Sequence, residues 1–133
     1  MRELGDEFTP KFHHAIAQEI IQLHKEGKNF ARIVLVGAYM RDFVLPLLES
    51  AGISVLFFSA APEAGESIQT FLLEPHTKPC LVFVKGSQNT IFLEEGIKKF
   101  LEDSADISEL CRQSPEWIQK KTAYFTSIKD SQG

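Results

Sequence analysis

No apolar stretch of the chain approaches the roughly 18–20 residues that a membrane-spanning helix needs. The opening Met1-Arg2-Glu3-Leu4-Gly5-Asp6-Glu7 is charged and lacks the apolar segment of a secretory signal. Basic residues do not gather into a block: 14 Lys and Arg stand against 18 Asp and Glu, a formal charge of −4. The electrostatic footprint that nucleic-acid binding requires is therefore missing. These absences lead to the expectation of a cytoplasmic protein, with neither a membrane nor a nucleic acid among its partners. Cysteine is scarce too. Cys80 and Cys111 are far apart and form no C-x-x-C pair, which gives a redox or disulfide role little support. Cys80 opens an apolar run, where a buried thiol acting as a small hydrophobe is expected.

The common phosphate and nucleophile motifs are absent as well. The chain has no G-x-x-x-x-G-K-S/T loop, no G-x-G-x-x-G turn and no G-x-S-x-G elbow. What it does have is apolar material for a core: 133 residues, 44% of them hydrophobic, including 11 Phe. That length fits one domain.

Helical and strand-like stretches alternate. Thr9-Pro10 reads as an N-cap followed by proline in the first turn. Phe12, Ile16, Ile20 and Leu23 then recur at helical spacing, and Gly27 supplies a stop. Ile33-Val34-Leu35-Val36, closed by Gly37, is apolar at every position, as suits a strand buried on both faces of a parallel sheet. A helix is expected from about Tyr39 to Ser50, interrupted at Pro46 and closed by Gly52. Val55-Leu56-Phe57-Phe58 reads as a second strand, and Pro62 to Leu73 as a helix ending before Pro75. Cys80-Leu81-Val82-Phe83-Val84 reads as a third strand. The turn Lys85-Gly86-Ser87-Gln88-Asn89 follows it, then a helix from about Thr90 to Glu102.

Helices between short apolar strands imply parallel strands joined by right-handed crossovers. The expected fold is α/β: a Rossmann-like open parallel sheet of at least three strands, with helices on both faces, over residues 1–103. A helical tail, 104–133, completes the chain. It has a short helix near Asp106 to Cys111 and another from Ser114-Pro115 to about Tyr124, docked through Trp117, Ile118 and Phe125. The residues after Lys129 should be loose. The first helix has no strand before it, although a doubly wound domain normally begins with one.

The Lys85–Asn89 turn sits where α/β proteins bind ligands, at the carboxyl end of a strand and ahead of a helix. Gly86 allows close backbone approach, Lys85 can face an anion, and Ser87 and Asn89 offer hydrogen bonds near a helix N-terminus. An ordinary turn capped by Asn89 or Thr90 explains the same residues. His13, His14 and His24 cannot form one metal site. Eleven residues of helix separate His13 from His24 by about 16 Å, and His13 and His14 diverge by about 100°. Solvated positions, or a single capping or ligand contact from His13 or His14, are expected. Glu94-Glu95 and Glu63/Glu66 fall on expected helices, where acidic residues favour the first turn.

Two stretches resemble the Mur ligases, the ATP-dependent amide-forming ligases of peptidoglycan synthesis. Met1-Arg2-Glu3-Leu4-Gly5, followed by His13-His14, is similar to the loop and helix after a Gly-Asp-Met strand end in the family's D-alanyl-D-alanine-adding branch. Val84-Lys85-Gly86-Ser87, followed by Phe92-Leu93-Glu94-Glu95, is similar to its last strand, turn and helix. Ile33-Val34-Leu35-Val36-Gly37 lies where the family has a strand ending in Val-Gly. The likeness is to the family's C-terminal domain and covers about residues 1–101 of this chain. Leu110-Cys111-Arg112-Gln113-Ser114-Pro115-Glu116-Trp117 is similar to tails from small-genome bacterial lineages.

The resemblance implies a domain that closes over nucleotide and the incoming dipeptide, so that a UDP-muramoyl-tripeptide is joined to D-Ala-D-Ala. Arg2, Glu3, Lys85, Gly86, Ser87 and Asn89 would then face the cleft. Arg2 or Lys85 would orient phosphate or carboxylate groups, and Ser87 would hydrogen-bond the dipeptide. ATP and Mg²⁺ would be held mainly by the N-terminal and central domains, the implied partners of this chain, with no cofactor bound by this chain alone. There are departures. Gln88 stands where many members have arginine, and the family's D-x-Y-N-A-N-P segment and next strand would precede Met1. The expectation is an N-terminally truncated domain, inactive alone. A stand-alone, non-catalytic module binding a small anion or a protein through the Lys85 turn is the competing reading. An unrelated Rossmann-like enzyme fits less well, because no nucleophile–base pair is visible.

Overall fold

The computed structural model describes residues 5–28, 30–75, 80–86 and 90–130. It is mixed α/β, with helices α1 (Gly5–Lys25), α2 (Ala38–Phe43), α3 (Leu45–Ser50), α4 (Ala61–Leu73), α5 (Glu94–Ile97) and α6 (Pro115–Asp130). Two strands, β1 (Val34–Val36) and β2 (Leu56–Phe58), and a 3-10 helix, Ser104–Glu109, complete the described elements. The chain groups into two compact units, Met1–Ser59 and Ala60–Gly133.

In the first unit, α1 buries Thr9, His13 and Ala17, one helical turn apart. Ile20 and Ile21 extend that face against the core. The helix begins earlier than the Thr9-Pro10 signal suggested, so Pro10 lies inside it. Phe12, expected inward, is 44% exposed. α1 ends as its sequence implied. Gly27 adopts φ 78°, while Gly27 N donates to His24 O and Lys28 N to Leu23 O, both at 3.0 Å. This is the paired C-terminal bonding that a left-handed glycine permits. Gly52 closes α3 in the same manner, with φ 74° and Ile53 N donating to Leu48 O. The break expected at Pro46 falls at Val44, where α2 hands over to α3.

β1 and β2 pair in parallel, with Val34 opposite Leu56, Leu35 opposite Phe57 and Val36 opposite Phe58. Leu35, Val44, Leu48, Ile53 and Ala17 form the core of this unit. Complete burial of a side chain such as Leu48 contributes about 1.5–3 kcal/mol.

In the second unit, α4 turns Ala61, Ala64 and Gly65 inward. A Cβ placed on Gly65 would collide with the Gly96 backbone. Absence of side chains at both positions lets α4 and α5 touch main chain to main chain. Phe92 is buried with φ 50°. Its ring meets Tyr124 at 5.3 Å, and Trp117 and Phe125 at 6.3 Å, all edge-on. Trp117 and Phe125 therefore dock α6 as expected, whereas Ile118 stays half exposed. α6 runs further than the sequence signal, to Asp130. α5 is far shorter than the helix expected from Thr90 to Glu102.

The third expected strand is the principal difference. Residues 80–86 carry no regular secondary structure, and Leu81 and Phe83 are 96% and 84% exposed. Cys80 is exposed with them rather than buried. The physical reason is non-local. An apolar run becomes a strand only when another segment supplies its ladder, and among the described residues the single ladder is β1–β2. A Rossmann-like sheet of three or more strands is thus not formed by the described residues.

Candidate functional site

The carboxyl ends of parallel strands are where α/β sheets gather ligands. At that end of β1, Gly37 adopts φ 90° and its N–H donates to Phe58 O at 3.0 Å, so it tops the ladder and turns directly into α2. Tyr39 and Phe43, one turn apart on α2, have ring centroids 6.0 Å apart. His13 of α1 approaches both, at 5.7 Å from Tyr39 and 6.0 Å from Phe43. His14 adds an outer ring, 5.9 Å from Phe43 and nearly perpendicular to it.

His13 is 6% exposed, and its Nδ1 lies 2.6 Å from the Thr9 carbonyl oxygen. A carbonyl only accepts, so Nδ1 carries the proton in that bond. In the neutral ring Nε2 is then a bare acceptor. His14 is exposed, as a solvated position was expected to be, whereas His13 is buried and bonds a carbonyl one turn back within its own helix, which is neither a capping nor a ligand contact.

The residues nominated from the sequence fare differently. Arg2, Glu3, Ser87 and Asn89 lie outside the described residues, as does Gln88. Lys85 and Gly86 are described, exposed and without regular secondary structure. A Cβ at Gly86 would run into the Leu93 side chain, so the glycine does allow a close approach, to a leucine of the same unit.

Sequence reasoning missed a charged cluster in the second unit. Glu94 is 3% exposed and takes a bidentate pair from Arg112, Nε to Oε1 at 2.8 Å and Nη2 to Oε2 at 2.7 Å. Lys121, equally buried, places Nζ 2.5 Å from Glu95 Oε1 and 3.6 Å from Glu94 Oε1. Lys98 reaches the same Glu95 oxygen at 2.8 Å. Burial alone would raise the Glu94 pKa, but the Arg112 hydrogen bond, a backbone hydrogen bond and the charges of Arg112 and Lys121 together outweigh it and hold the carboxyl below the usual range. Arg112 is correspondingly held above its ordinary value by the Glu94 bond. Glu94 and Glu95 had been placed as first-turn acids, which they are. The missing signal was Lys121, a cation on the face of α6 that also carries Trp117, Tyr124 and Phe125.

A cleft of about 430 Å³ lies beside the residues leading into β1 and β2, lined by Phe30, Arg32, Ile33, Ser54 and others. It is at the amino ends of the strands, the end that seldom carries ligand chemistry in such sheets. Among the described residues no three His, Cys, Asp or Glu side chains converge as metal ligands, and no helix is long and apolar enough to cross a membrane. No family model, curated protein or solved structure matches this chain.

Proposed function

We propose that the chain acts as the C-terminal domain of a Mur-type ligase, closing over nucleotide and D-Ala-D-Ala while partner domains supply the chemistry. The observation that carries this reading is the parallel β1–β2 pair, with the Val36-Gly37 end of β1 turning into α2 beside His13. A helix, a strand ending in Val-Gly, a helix and a parallel strand follow in the order that the resemblance requires. In this reading Cys80–Val84 becomes a third parallel strand once its ladder is available, giving the Rossmann-like sheet. Arg2 and Lys85 then orient anionic groups, Glu3, Gly86 and Asn89 contribute to the same binding, and Ser87 holds the dipeptide. In this reading ATP and Mg²⁺ are held mainly by the partner domains. Amide-bond formation is accordingly expected only when those domains are joined to this chain.

The test is a fusion of this chain behind the N-terminal and central domains of a D-alanyl-D-alanine-adding ligase, assayed for phosphate release that depends on both peptide substrates. Turnover by the fusion is expected, and an inert but folded fusion defeats the reading. Lys85→Ala and Ser87→Ala should each cut kcat/KM by about tenfold or more, the worth of one charged or polar contact. Unchanged kinetics in both would remove those residues from the site while leaving the domain assignment intact.

A further inference from the structure

We propose that α6 is a latch whose docking sets the backbone at Phe92 and, through Leu93, the position of the Lys85-Gly86 turn. Among the described residues only Phe92 and Arg112 combine a side chain with a positive φ, 50° and 59°. Left-handed backbone is unfavourable for bulky residues and persists where neighbouring contacts enforce it. The two outliers meet: the Arg112 guanidinium lies 6.0 Å from the centre of the Phe92 ring. Each is held by contacts across the seam between α5 and α6. The Phe92 ring is inserted among Trp117, Tyr124 and Phe125 of α6. Arg112, just ahead of that helix, is pinned by its bidentate pair to buried Glu94. Release of α6 removes both constraints and lets the two residues return to ordinary backbone.

The strained segment reaches the turn directly. Leu93 follows Phe92 in the chain, and its side chain occupies the space where a Cβ at Gly86 would stand. Glu95 N and Gly96 N donate to the Phe92 and Leu93 carbonyls at 2.9 and 3.0 Å, so rotation at Phe92 turns Leu93 against the start of α5. Gly96 cannot follow, because it abuts the Gly65 backbone of α4. The movement is taken up at Leu93 and passed to Gly86. Coupling needs an element with two positions, biased at one side and felt at the other. Docked α6 holds Lys85-Gly86 in one place, and released α6 lets it go. The latch rests on these packing and backbone features alone; its value to a ligand at Lys85 rests on the ligase reading.

The experiment uses the whole chain, isotopically labelled for NMR, with Trp117 fluorescence reporting α6 docking. Phe125→Ala and Lys121→Met each remove one anchor of α6 and should raise its released fraction by about tenfold or more. One-bond Cα–Hα couplings, which distinguish left-handed backbone, should show Phe92 and Arg112 leaving positive φ in the same proportion. The Gly86 amide resonance should shift with them. Gln69 and Thr70, toward the far end of α4, should stay still, although a general loosening of the unit would move them too. Ile118→Ser, at a half-exposed position on α6, should change none of these. If both anchor variants unfold, the wild-type chain in sub-denaturing urea is read in the same way. Phe92 keeping its positive φ after α6 has left, or Gly86 unmoved by that departure, overturns the latch. So does an α6 that stays docked in both variants, or that leaves only when the whole unit unfolds. A turn that ignores α6 in a working fusion enzyme removes the latch and spares the ligase reading. A turn that follows α6 in an inert fusion keeps the latch and loses that reading.

Discussion

The side chain of Glu94 is 2% exposed and held between Arg112 and Lys121. A buried carboxylate so placed adds little beyond an apolar side chain of equal volume, yet removing one member strands the others. Breaking such a pair costs about 3–5 kcal/mol. Glu94→Gln should therefore lower the unfolding free energy of the second unit by an amount of that order, read by urea titration of Trp117 fluorescence. The pH dependence follows from the direction of the Glu94 shift. Its folded pKa is depressed, so its stabilisation is complete above the ordinary glutamate range and is lost as pH falls through the lower folded value. Acid should weaken the wild-type unit over that window, and Glu94→Gln should flatten the curve. Equal acid sensitivity in both proteins would show that other carboxylates govern it.

Between elements, the tightest approach joins α4 to α5 at Gly65 and Gly96. Gly65→Ala puts a methyl group against a backbone that cannot rotate away, and overpacking of this kind costs about 1–3 kcal/mol. Thermal unfolding should show the loss, whereas Gly52→Ala should act through its φ of 74° alone, with open space around the added methyl. Much of this level was legible beforehand. α4 begins within a residue of Pro62 and stops before Pro75, and Gly27 and Gly52 close their helices because left-handed backbone is a local property of glycine. β1 and β2 were visible as unbroken apolar runs. Cys80–Val84 reads identically in sequence but remains irregular, because pairing depends on what lies alongside rather than on the run itself. Lys121 was illegible for a related reason. Its spacing from Trp117 and Phe125 puts it on the inner face, but only the fold brings Glu94 and Glu95 there.

At the scale of the molecule, two compact units are accompanied by a solvated apolar segment, Leu81 to Val84. Exposed runs of this composition are templates for association. The chain should sediment with concentration dependence, and Leu81→Lys with Phe83→Lys should return it to a monomer without lowering its melting temperature. Rapid amide exchange across 81–84 is expected as well, and slow exchange in a dilute monomer would mean that the segment has found a partner within the chain. In the second unit, Lys121 has a separate consequence. A helix whose inner surface were all hydrocarbon could slide along its track by a turn, about 5.4 Å, and still fill its seat. One ammonium among the rings acts as a single tooth: shifted either way it loses both carboxylates and is driven into greasy contact, so α6 has one resting notch rather than several.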